Sequence, residues 1–248
     1  MSVNYDALLL DLSGVLYDGN FAIAGASNII AEARRRNLVI RFVTNTATKS
    51  TATITADLQR MKFDVRPDEL FTAPMAASIY LRHKQLRPYL LVHAAIRQEF
   101  ADLDQYNPNC VVLGDARDDL NYSNLNTAFQ LCKSGAPLIG IGMNKYFMDD
   151  HGLMLDAGGF IRAVEWAADI EAIIMGKPSA TFFEQVVAST GVAAARCLMV
   201  GDDVVADVAG AVSAGLQGCL VKTGKFLPGD ETKLPPSAQL IDSIRKLF

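Results

Sequence analysis

The sequence predicts a parallel α/β protein in which one α/β unit is inserted into another. Three observations carry this reading. Apolar runs short enough for buried strands recur between longer stretches of helical period. Acidic and hydrogen-bonding residues stand directly after several of those runs, where the carboxyl edge of a parallel sheet collects its ligands. No internal repeat and no linker rich in Ser, Gly or charge separates the units, which fits an insertion better than a tandem.

In chain order, Ala7 to Leu10 reads as a strand, because an unbroken apolar run suits a strand buried on both faces. Ser27 to Arg36 follows with helical period, and Arg34-Arg35-Arg36 at its end suits the helix dipole and reads as a solvated face. Leu38 to Val43 is the second strand and Lys49 to Met61 the next helix. The middle of the chain repeats the alternation, with strands at Tyr89 to His93, Cys110 to Leu113 and Leu138 to Ile141. Ile173-Ile174-Met175 reads as a return to the first unit, with Trp166 of the preceding helix expected in the core. Thr181 to Thr190 and Val204 to Ala214 read as helices alternating with strands at Cys197 to Val200 and Gly218 to Val221.

Composition bounds the function. A chain of 248 residues, 50% hydrophobic and 20% charged, belongs with ordinary globular proteins. Its 23 basic against 27 acidic residues leave a net charge of −4, which disfavours nucleic acid and anionic membranes as partners. No apolar run reaches membrane-spanning length, and the start lacks the build of a signal peptide. Cys110, Cys132, Cys197 and Cys219 stand singly in apolar surroundings, so buried thiols in a reducing cytoplasm are expected. His83, His93 and His151 are scattered and read as surface or packing residues.

Four segments carry chemistry. Asp11 ends the first strand and is followed by Gly14, which permits a sharp turn; a turn or helix-cap role is open to it as well. Thr44 and Asn45 end the second strand and can donate to a phosphate oxygen, or cap the following helix. Lys177, pinned between Gly176 and Pro178, is a mobile point charge suited to phosphate, or a solvated turn lysine. Asp202, Asp203 and Asp207 form an acidic cluster with no basic residue within five positions. A dipole-stabilising role accounts for Asp203 but explains the other two less well, whereas a hard cation held by carboxylate oxygens accounts for all three.

In this order the four segments resemble the haloacid dehalogenase superfamily of phosphatases. Asp11-Leu12-Ser13-Gly14-Val15-Leu16-Tyr17, Arg41-Phe42-Val43-Thr44-Asn45, Gly176-Lys177-Pro178-Ser179 and Val221-Lys222-Thr223-Gly224-Lys225 are similar to its NagD-like group with a large cap. The resemblance implies a doubly wound, mostly parallel core at residues 1–86 and 159–248 and an inserted α/β cap at 87–158. It implies that Asp11 is a nucleophile forming an aspartyl phosphate, and that Mg²⁺ is held by Asp11, the Ser13 main-chain carbonyl and Asp202. Asp203 and Asp207 would hold metal-bound waters or orient Lys177. Thr44 and Asn45 would grip the phosphoryl oxygens while Lys177 neutralises their charge. The implied substrate is a small-molecule phosphate or phosphorylated side chain, and a homodimer is in keeping with the group. Ser13 departs from the superfamily, which usually has a second Asp there to protonate the leaving group.

Two rivals come from other classes. A phosphate-binding scaffold that lost turnover is conceivable without the acid, but binding alone needs no nucleophile. A receiver-type signalling domain uses similar residues, yet its acidic pair belongs on the first strand. Lys222-Thr223-Gly224 also matches a β-lactamase signature, but the only S-x-x-K, Ser243 to Lys246, follows it instead of preceding it.

Overall fold

A computed structural model describes residues 5–149 and 152–248; His151 lies outside them. The chain runs β1 (Ala7–Asp11), a small hairpin of β2 (Tyr17–Asp18) and β3 (Phe21–Ala22), α1 (Ala26–Arg35), β4 (Val39–Thr44), α2 (Thr51–Arg60), β5 (Leu70–Thr72), α3 (Ala73–His83), β6 (Pro88–Leu91), β7 (Cys110–Leu113), α4 (Tyr122–Lys133) and β8 (Leu138–Ile141). It continues through a second hairpin of β9 (Tyr146–Asp149) and β10 (Gly152–Leu155), then α5 (Ala157–Ala168), β11 (Ile173–Met175), α6 (Ala180–Thr190), β12 (Cys197–Gly201), a π-helical turn at Val204–Ala209, α7 (Gly210–Ser213), β13 (Gln217–Val221) and β14 (Gln239–Ile241).

Residues 5–44, 52–71 and 177–248 form one compact unit. Its six-stranded sheet has the order β14-β13-β12-β1-β4-β5, and the pairings of β1 with β4 and β12 and of β13 with β12 and β14 are parallel. All five residues of the central β1 are buried, so a near-continuous apolar run is what the position demands. Leu8, Leu10, Ile40, Phe42, Leu198 and Val200 pack on one face with Ile29, Ile30 and Ala33 of α1 and Ile54 and Leu58 of α2. The alternate residues Leu9, Val43, Met199 and Leu220 are buried too, and Phe182, Phe183 and Val186 of α6, which packs against β4 and α7, are buried with them. Helices thus serve both faces, as the doubly wound reading requires.

Residues 45–51 and 72–176 form the second unit, around a parallel four-stranded sheet of order β11-β8-β7-β6. Its core joins Val111, Leu113 and Leu138 of the sheet to Ala128 and Cys132 of α4 and Ile161 and Val164 of α5. The boundaries at 86/87 and 158/159 expected from sequence are not where these units divide: α3, α5 and β11 all belong to the inserted unit. β11 is its edge strand, paired Ile173 to Ile139, and not a core strand. A three-residue apolar run states that a strand is present but not which sheet it joins. Trp166, expected in the core, is 85% exposed on α5, because Ile161, Val164 and Ala168 form that helix's buried face.

The triple arginine also departs from expectation. Arg35 and Arg36 are exposed and pair with Glu32, but Arg34 turns inward and donates to both oxygens of the buried Glu69, at 2.6 and 2.8 Å. All four cysteines are buried free thiols. Among the described residues no helix is long and apolar enough to cross a membrane.

Candidate active site

The parallel register assembles the site. Asp11 is the last residue of β1 and lies opposite Val43, which sets Thr44 one step beyond it on β4. On the other side Leu10 lies opposite Val200, so Gly201 and Asp202 run past the same edge. Lys177 enters directly ahead of α6, and Asp207 sits in the π-helical turn that follows β12. A π-turn inserts a residue into the helical repeat and is found frequently at functional sites. Here the Asp203 carbonyl accepts both the Asp207 N–H at 3.0 Å and the Val208 N–H at 3.3 Å, an α-type and a π-type bond to one oxygen. Asp203 caps the turn, its Oδ1 accepting from Val205 and Ala206 N–H at 3.0 and 2.9 Å, while its own N–H donates to Asp207 Oδ2 at 3.1 Å.

At the centre, the Lys177 ammonium donates to Asp11 Oδ1 at 2.6 Å and lies 2.5 Å from Asp207 Oδ1. Asp202 Oδ2 accepts the Lys225 N–H at 2.8 Å, and its Oδ1 is buried without a hydrogen-bond partner among the described residues. One carboxylate oxygen from each of Asp11, Asp202 and Asp207 lies within 4.8 Å of the others. Burial pushes all three carboxyl pKa values up; Lys177 opposes this for Asp11 and Asp207, and the Lys225 N–H opposes it for Asp202. Asp207 reaches about 6. Burial presses Lys177 down, but Asp11 and Asp207 more than offset it and its pKa lies above the ordinary lysine value.

Three buried acids facing one cation form a site with surplus negative charge and one orphaned carboxylate oxygen. That donor set fits a hard divalent cation, which prefers carboxylate oxygens and completes its shell with water and phosphate. Lys177, Asp11, Asp202 and Asp207 are thus brought together. Thr44 is buried at the same sheet edge, and Asn45 follows it as the first residue of the inserted unit. Ser13 is exposed, two residues beyond Asp11. His83 is exposed, and His93 Nδ1 accepts the Ala95 N–H at 3.2 Å as a turn cap in the inserted unit.

Reading the residues one by one set aside Lys222-Thr223-Gly224 as a false signature, yet the structure brings this segment to the site. Thr223 Oγ1 donates to the Gly14 carbonyl, and Lys225 holds Asp202. The available signal was the segment's place directly after an apolar strand, the same signal that marks Asp11 and Thr44.

A family model for haloacid dehalogenase-like hydrolases matches residues 8–105, and a second HAD-type hydrolase model matches 174–247. Phospholysine phosphohistidine inorganic pyrophosphate phosphatase of Rattus norvegicus is 45% identical over 231 residues, covering 90% of this chain and 85% of that protein. The chain belongs to the haloacid dehalogenase-like hydrolase family. Another relative, haloacid dehalogenase-like hydrolase domain-containing protein 2 of Homo sapiens, is 41% identical over 234 residues, covering 94% of this chain and 90% of that one. A 4-nitrophenylphosphatase from Thermotoga maritima superposes with a TM-score of 0.87 at 25% identity, over 98% of this chain and 96% of that one. NagD from E. coli K-12 shares the fold, with a TM-score of 0.87 at 21% identity over 98% of both chains. Within the haloacid dehalogenase-like hydrolases this is a phosphohydrolase.

Proposed function

We propose a Mg²⁺-dependent phosphatase that works through an aspartyl phosphate on Asp11 and favours phosphate bonds whose leaving group needs little protonation. The observation that carries this is the buried Asp11–Lys177–Asp207 array beside the unpartnered Asp202 Oδ1. Phosphoryl transfer asks mainly for in-line positioning and charge neutralisation. Asp11, ionised beside the Lys177 ammonium, needs no activating base. Its oxygen forms a bond to phosphorus as the bond to the leaving group breaks, and the leaving group departs with the electron pair. Water then attacks the phosphoaspartate at phosphorus, releasing phosphate and restoring the carboxylate. Lys177 balances charge on Asp11 and the incoming phosphoryl group, and Thr44 and Asn45 supply donors to its oxygens. Asp11, Asp202 and the Ser13 carbonyl would hold Mg²⁺, with Asp203 and Asp207 behind them, and when bound the ion neutralises phosphoryl charge.

Ser13 sets the bond type. General acid catalysis contributes about 10² to 10⁴ in rate, roughly 3 to 5.5 kcal/mol of barrier, and a serine hydroxyl is too weak an acid to supply it near neutral pH. Phosphate leaving pyrophosphate, or an aryl oxide, departs as a stable anion, and a phosphoramidate nitrogen can already carry its proton. The name of the Rattus norvegicus relative covers P–N and P–O–P bonds of this kind. A small phosphoramidate, a phosphorylated side chain or pyrophosphate is therefore the proposed substrate class, acted on in the cytoplasm by a homodimer.

Mutation, chelation and a leaving-group series test the proposal. Asp11→Asn should fold normally and lose turnover, and chelation should stop the wild type until Mg²⁺ restores it. Comparable activity in either condition removes the mechanism. Across phosphate esters of matched size, kcat/KM should fall steeply as the leaving-group pKa rises, and Ser13→Asp should flatten that slope. Equal efficiency on alkyl and aryl esters, with chemistry rate-limiting, would show that another donor protonates the leaving group.

A further inference from the structure

The loop after β13 grips the acidic cluster from a distant part of the sequence. Asp202 Oδ2 accepts the Lys225 N–H at 2.8 Å and is closed in by two glycines. A Cβ at Gly224 would come within 2.1 Å of that oxygen, and one at Gly14 within 1.9 Å. Both glycines have positive φ, +65° and +80°, so side chains are excluded by backbone conformation as well as by space. The Thr223 hydroxyl donates to the Gly14 carbonyl, tying this loop to the one that leaves Asp11. One oxygen of Asp202 is thus hydrogen-bonded and closed in, and the other is buried with no hydrogen-bond partner among the described residues.

We propose that Thr223-Gly224-Lys225 is a positioning device for the cation site, in which Thr223 locks the loop so that Lys225 N–H fixes Asp202 with Oδ1 free for the ion. A carboxylate held at one oxygen cannot rotate to satisfy the other, which keeps the orphaned atom aimed into the cluster. The base of the loop is anchored separately: Lys222 N–H donates to the Ile241 carbonyl at 3.1 Å, and the Lys222 ammonium donates to Asp242 at 2.9 Å. The Thr223 hydroxyl is therefore available for positioning without carrying the strand pairing. Partners that orient a metal ligand typically contribute 10- to 100-fold in metal affinity. The inference rests on the reading that this site takes Mg²⁺.

The test is calorimetric Mg²⁺ titration of the metal-free full-length chain, with circular dichroism as the fold control. Thr223→Val should weaken Mg²⁺ binding about tenfold or more, Thr223→Ser should restore it, and Asp242→Asn, which breaks only the surface pair, should leave it unchanged. Should Thr223→Val not fold, Thr223→Ala is read the same way. Loss of binding in Asp202→Ala with wild-type affinity in the folded Thr223 variant overturns the positioning role while leaving the Mg²⁺ reading intact. A wild type that binds no Mg²⁺ overturns both.

Discussion

Asp11 shows how function and stability oppose each other in one side chain. Burial raises its pKa against the pull of Lys177, so the folded protein resists the charge that chemistry requires. In the metal-free protein three buried acids share one lysine, and neutralising one acid still leaves Lys177 paired with Asp207. Asp11→Asn should therefore raise the Tm of the metal-free protein by a few degrees while abolishing turnover, a common trade-off at active sites. Calorimetry in excess chelator checks this, and a lower Tm would mean that the Lys177 pair outweighs the crowding. At this scale the sequence was informative because Asp11, Thr44 and Asp202 each follow an apolar strand, and a parallel sheet delivers all such ends to one edge. It did not give the contact of Arg34, read as part of a solvated face, with Glu69, 35 positions away, nor that of Thr223 with Gly14, 209 positions away. Period and spacing carry no information over such separations.

Among elements, the π-helical turn at Val204–Ala209 does the most for the site. Its start depends on Asp203, whose carboxylate satisfies two otherwise orphaned N–H groups and whose main chain holds Asp207 Oδ2. Replacing such a cap by alanine costs about 0.5–2 kcal/mol. Asp203→Ala should show that loss in urea unfolding, and it should lower kcat more than it raises KM, because a loosened turn misplaces Asp207 against Lys177. Asp203→Asn, which still caps, should recover most of the stability. Equal losses of stability from both variants would show that charge and not capping holds the turn. The helical signal of Val204 to Ala214 was legible from hydrophobic period, but an inserted residue is invisible to it. The strands and helices that stood out in sequence were those with the longest apolar pattern. β5, β14 and the two hairpins, at two to four residues each, were not read from the sequence.

For the whole molecule, pH should act in two opposite directions. Asp207 titrates at about 6 in the folded protein, and Asp11 and Asp202 are also raised, chiefly by burial. An unfolded aspartate titrates at about 3.9. Between those values the folded state binds more protons than the unfolded state, so stability falls as pH rises through this window and is gained on acidification. Glu69 has the opposite sign. Burial would raise it, but the Arg34 guanidinium and the Arg66 N–H outweigh burial and hold it below its ordinary value. Its contribution is complete above the unfolded value of about 4.3 and is lost as pH falls through the lower folded value. The metal-free protein should therefore be more stable near pH 5 than near pH 7.5, and should weaken again toward pH 3. Urea midpoints in chelator at these three values measure it. Asp207→Asn should remove much of the gain between the upper two, and Glu69→Gln should remove part of the loss below them at a cost of about 1–3 kcal/mol near neutrality. Saturating Mg²⁺ should stabilise most at the highest pH, since only ionised carboxylates bind it. A metal-free protein whose midpoint rises steadily from pH 5 to pH 7.5 would show that these acids are not held protonation-prone by burial, and the electrostatic account of the site would fall with it.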